Sequence, residues 1–81
     1  MTDGPRVTVY TRVDCHLCDE AKTIVAAVTL DLGASWREVD VDADPVDRAE
    51  YGDLVPVVLV DGVPLAYYRV EPDRLRKALQ G

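Results

Sequence analysis

The chain has 81 residues, 48% apolar and 30% charged, which fits a single soluble domain over residues 1–81 and argues against disorder or a second core. Its net charge of −6, with six acids and a single base over residues 40–53, speaks against nucleic acid or an anionic membrane as a partner. The apolar run at residues 55–60 is far too short to span a bilayer, and MTDGPR lacks the basic and apolar parts of a secretory signal. The expectation is a cytoplasmic, reducing environment, where a cysteine pair is more often chemical than structural.

In chain order, residues 6–11 (RVTVYT) alternate β-formers with polar residues and predict a strand. Leu17, Ala21, Ile24, Val25, Val28 and Leu32 then fall on one helical face, and Gly33 suits the left-handed residue that ends such a helix. Residues 36–41 predict a second strand. With Val39 and Val41 turned inward, Trp36 falls on its wetter face.

Asp44-Pro45-Val46-Asp47 has the form of a helix start, with a cap, a first-position proline and an acid in the first turn. The DxDxD spacing around it approximates a calcium loop. Pro45 stands where that loop needs glycine, however, and Tyr51 where it needs a bidentate glutamate, so the segment reads as a solvated acidic connection. Residues 57–60 form an apolar strand, Asp61-Gly62 a hairpin turn and residues 63–68 the return strand. Pro72 opens the last helix, with Leu75, Ala78 and Leu79 as its buried stripe. The order β-α-β-α-β-β-α predicts an α/β fold: a four-stranded mixed sheet flanked by helices, with its site where the first strand ends.

Both cysteines, Cys15 and Cys18, lie at that place. At a helix start the sulfur of Cys15 can accept a hydrogen bond from the amide of Cys18, which favours its thiolate over its thiol. On a regular helix the two Cβ atoms are about 5–6 Å apart, whereas a disulfide wants about 3.5–4.5 Å, so a small adjustment closes the bridge. So short a loop restrains the unfolded chain by only about 2 kcal/mol, which makes a poor staple. It makes a good switch, because attack by one sulfur leaves a mixed disulfide that the other resolves. A zinc or iron–sulfur carrier is an alternative, but two sulfurs and His16 cannot complete four ligands within one chain. A non-catalytic adaptor with unreactive thiols is a third reading.

With Val9-Tyr10-Thr11-Arg12, Cys15-His16-Leu17-Cys18, Val55-Pro56 and Asp61-Gly62 in this order, nearly the whole chain resembles a glutaredoxin-like member of the thioredoxin superfamily. The resemblance implies that fold, a nucleophilic Cys15, a resolving Cys18, and a cis peptide bond at Pro56 beside the site. It matches Arg12 to a basic residue that meets the thiolate or a substrate carboxylate. The backbone of Val55 would be free to pair with an extended substrate. His16 could favour the thiolate or sit exposed, and Tyr10, Tyr67 and Tyr68 could line the groove or pack on the sheet. The chain departs from familiar glutaredoxins at His16-Leu17, and at Ala66-Tyr67, where they carry a glycine pair that admits glutathione.

The expected function is thiol–disulfide oxidoreductase activity on protein or small-molecule disulfides. Catalysis is assigned to Cys15 and Cys18, and substrate binding to Arg12, Val55, Pro56 and Tyr67. The expected protein is a monomer needing no metal or cofactor, with a disulfide-containing protein or a low-molecular-weight thiol as partner and a separate reductant. Glutathione is expected to be a weak substrate.

Overall fold

The computed structural model describes residues 5–80; the opening MTDG and Gly81, the two ends of the expected 1–81 domain, lie outside them. The elements are β1 (Val7–Thr11), α1 (His16–Leu32), β2 (Trp36–Asp40), a 3-10 turn (Val41–Ala43), α2 (Pro45–Tyr51), β3 (Val57–Val60), β4 (Val63–Tyr67) and α3 (Pro72–Gln80). They form one mixed sheet of order β2-β1-β3-β4. The two strands joined by α1 run parallel, and β3 is antiparallel to both β1 and β4.

Register decides which residues reach the core. Val7 pairs with Val60, Val9 with Val58 and Val58 with Ala66, so these side chains share one face of the sheet. On that face they pack with Ala21, Val25 and Val28 of α1 and with Leu75 and Leu79 of α3. The other face carries Tyr10, Val57 and Tyr67 in one row, and Tyr51 of α2 stacks on Tyr10 with ring centroids 4.8 Å apart. β3, covered on both sides, is buried at every position, which is why its four residues can all be apolar.

Local signals hold where they were read. Gly33 ends α1 at φ 69°, and Asp44 caps α2 by accepting from the Val46 amide. Asp61 and Gly62, at φ 52° and 83°, form the tight hairpin turn that needs two left-handed residues. One reading needs correction: Trp36 pairs with Val7 and packs against the helix-covered core, not on the wetter face. Val39 pairs with Tyr10 on the opposite face, while Val41, fully buried, has left the strand for the 3-10 turn and no longer follows its alternation.

Among the described residues no helix is long and apolar enough to cross a membrane.

Candidate active site

β1 ends at Thr11, and four residues later Cys15 opens α1. Two features build this turn. Asp14 takes the left-handed conformation at φ 62°, a region that aspartate tolerates better than most residues. Cys15 is extended, as a helix cap must be, and its Sγ accepts the Cys18 N–H at 3.2 Å. The sulfur thereby takes the place that a serine or aspartate oxygen fills at other helix starts.

The two sulfurs differ in environment. Cys15 is partly exposed, whereas Cys18 is buried, with only 1% of its surface accessible. Burial pushes the Cys18 thiol up to about 11, aided by its hydrogen bond with Cys15; the backbone N–H of Arg12 pulls the other way. Both thiols are free, and they are the only cysteines in the chain. Such a pair offers one accessible sulfur held by an amide and one protonated sulfur behind it.

The loop before β3 leads into Val57, which pairs with Tyr10 near the end of β1. The Val55–Pro56 peptide bond is cis, and Tyr68, just past β4, donates its N–H to the Pro56 carbonyl at 2.9 Å. Tyr68 holds φ 68°, unusual for a large side chain. Among the described residues, neither the N–H nor the C=O of Val55 has a hydrogen-bond partner, so both are free to pair with an added strand.

Arg12 is placed differently from a side chain waiting for a ligand. Its Nε and Nη2 grip the two carboxylate oxygens of Asp42 at 2.9 and 3.0 Å. Arg48 reaches the same carboxylate at 3.3 Å and donates to the Asp42 carbonyl at 3.0 Å. This network ties the loop before Cys15 to the 3-10 turn and, through Arg48, to α2, a helix with no buried residue of its own. His16 is exposed and faces Glu20 at 3.4 Å. Tyr10 packs on Tyr51 within the fold, while Tyr67 and Tyr68 remain about half exposed.

The structure thus brings Cys15 and Cys18 together at the cap, sets Val55–Pro56 beside Tyr68, and commits Arg12 to Asp42. The part played by Asp42 was not read from the sequence: in a run of six acids nothing marks the one that meets a base 30 residues earlier. Thr11 and Glu38 were also missed. The buried Thr11 hydroxyl donates to Glu38 Oε2 at 2.7 Å, and Lys22 approaches the same oxygen at 3.3 Å, joining β1, β2 and α1 beneath the site. The Thr11 hydrogen bond, with help from Lys22 and against partial burial, holds the Glu38 carboxyl below the usual range. Among the described residues no three His, Cys, Asp or Glu side chains are grouped to hold a metal ion.

This architecture, a four-stranded mixed sheet with a cysteine pair at a helix start and a cis proline just before the strand that pairs with the end of β1, is the thioredoxin-like fold. A structural-genomics target protein from X. campestris is 33% identical and superposes with a TM-score of 0.75, over 91% of this chain and 95% of that one. A glutaredoxin from Archaeoglobus fulgidus, 14% identical, shares the fold at a TM-score of 0.65, over 95% of this chain and 88% of its own. An uncharacterized protein of Mycobacterium tuberculosis is 38% identical over 77 residues, covering 89% of this chain and 79% of the relative. The model of the glutaredoxin-like domain family (DUF836) matches residues 6–80, and the chain belongs to that family. Family and cysteine pair together support a redox-type role.

Proposed function

We propose that this protein is a thiol–disulfide oxidoreductase with Cys15 as nucleophile and Cys18 as resolving thiol. The observation that carries the reading is the pairing of an accessible Cys15 Sγ, held by the Cys18 amide at 3.2 Å, with a buried Cys18 behind it. Cys15, as thiolate, attacks one sulfur of a substrate disulfide; that S–S bond breaks and the departing sulfur takes up a proton. Cys18 then loses its proton and attacks Cys15 Sγ. The mixed disulfide breaks, the second substrate thiol leaves, and a Cys15–Cys18 disulfide remains. Two electrons have passed to the substrate, and a thiol or dithiol reductant restores the pair. In reverse the same steps oxidise a dithiol.

The favoured substrate is a disulfide in an extended peptide or protein segment. The unpartnered Val55 backbone can pair with such a segment, and the exposed Val13, Tyr67 and Tyr68 offer it apolar contact. The reading places the protein in the cytoplasm, where such a pair is kept reduced.

The test has two arms. In the reduced protein Cys15 should alkylate faster than Cys18, and mild oxidation should remove two hydrogens by mass. Cys18→Ser should trap a mixed disulfide with a peptide substrate through Cys15. Equally slow alkylation of both thiols, with no trapped adduct, rules the reading out, and stoichiometric zinc or iron in fresh protein would replace it with the carrier reading.

A further inference from the structure

A groove of about 200 Å³ runs between the first turns of α1 and the segment that leads into α3. Leu17, Ile24 and Val70 give it an apolar floor, and Tyr68 stands at its rim. Both borders are joined to the proposed site, one along the chain and one by a hydrogen bond. Leu17 lies between the two cysteines, and the Tyr68 N–H is bonded to Pro56. A substrate whose disulfide reaches Cys15 therefore has its flanking residues within reach of the groove.

The charges on the groove are unequal. Glu20 and Glu71 both line it, and the only cation among the lining residues is Arg69. Glu20 pairs with the exposed His16, and among the described residues neither Glu71 nor Arg69 has an ion-pair partner. Asp14 and Asp19, at the same helix end, line a separate hollow with Arg12 and Lys22, and Lys22 stands 3.6 Å from Asp19, so the charge of the groove rests on Glu20, Glu71 and Arg69.

We propose that this groove takes a lysine or arginine side chain carried by the substrate next to its disulfide. The aliphatic stem lies on Leu17, Ile24 and Val70, and the cation reaches Glu20 and Glu71. Long basic side chains suit such a place, since they cover apolar surface while the charged head stays in water. Complementary charge also speeds encounter and disfavours acidic competitors. The inference rests on the oxidoreductase reading for its substrate, and it adds that the preferred disulfides lie in basic segments.

The experiment uses the full chain and three peptides, each with one internal disulfide, identical except for Lys, norleucine or Glu beside one cysteine. The Lys peptide should be reduced fastest and the Glu peptide slowest, with kcat/KM about tenfold apart. In the double variant E20Q/E71Q the Lys-to-Glu ratio should fall towards one. A Lys peptide no faster than the norleucine peptide, or a ratio that survives in the double variant, overturns the groove assignment and leaves the oxidoreductase reading intact. Binding is read separately with the Lys and Glu peptides made with serine for both cysteines. Amide shifts at Leu17, Glu20 and Val70 with the Lys peptide alone uphold the groove even if no disulfide is turned over. Absence of such shifts overturns it.

Discussion

The backbone N–H of Tyr68 donates to the Pro56 carbonyl at 2.9 Å, and Tyr68 adopts φ 68° where it does so. A side chain in this region costs roughly 1–2 kcal/mol, a cost glycine avoids. Tyr68→Gly should therefore be more stable than Tyr68→Ala by about 1 kcal/mol, since both lose the ring and only alanine keeps the backbone penalty. Urea denaturation of the two variants gives the difference; an alanine variant as stable as the glycine one would show that the conformation costs nothing.

Burial of the protonated Cys18 makes stability depend on alkaline pH. The folded thiol holds its proton to about 11, against an ordinary value of 9.0, so between these the folded state binds more protons than the unfolded chain. Stability of the reduced protein should fall as pH rises through that window, by on the order of 2 kcal/mol in all. Tyr10 and Tyr51, whose hydroxyls burial also raises, add a loss beginning near 10, so the control is Cys18→Ala, which keeps theirs and lacks the cysteine's. Parallel declines in both proteins would show that Cys18 contributes nothing to it.

The Asp42 clasp should show itself at the acid end. Hydrogen bonding from Arg12, with the nearby Arg48 adding to it and slight burial opposing, lowers the Asp42 carboxyl below its ordinary 3.8. A lowered carboxylate stabilises above its unfolded value, and that contribution is lost as pH falls through the folded one. Asp42→Asn should have a lower denaturation midpoint at neutral pH, and the gap to wild type should close below pH 3.8. A gap that is constant with pH points to altered packing.

Gly52 is buried where α2 ends, in an ordinary right-handed conformation, so flexibility is not what the position requires. A Cβ there would run into the Arg48 carbonyl oxygen and lie 3.2 Å from Arg12 Nη2. Gly52→Ala should cost about 1–3 kcal/mol, the range for forcing atoms into filled space. Chemical denaturation measures it, and a loss below about 0.5 kcal/mol would mean that the end of α2 shifts freely.

The proposed function gives Tyr67 a part in the choice between peptide and glutathione. It is 44% exposed, on the sheet face it shares with Val57. Tyr67→Gly should raise kcat/KM for glutathione disulfide severalfold and leave strand pairing at Val55 in place. Efficient use of glutathione by the wild type, or no response to the substitution, would remove the steric explanation.

What the chain's local sequence determined is what neighbouring residues settle between themselves. A cysteine at a helix start, Asp44-Pro45 before another and Asp61-Gly62 between two strands act through contacts a few residues long, and all were legible. The order of elements followed from them, and with it the fold and the placement of Cys15 and Cys18 at the start of α1. Tertiary structure alone decided that Trp36 faces the core, because the β1–β2 register pairs it with Val7 and Val41 leaves the strand. It also chose Asp42 as the partner of Arg12, and carried Tyr68 to Pro56 in a conformation its residue type disfavours. These features depend on segments that meet only when the sheet closes, so their energy comes from geometry between distant residues, which no local pattern encodes.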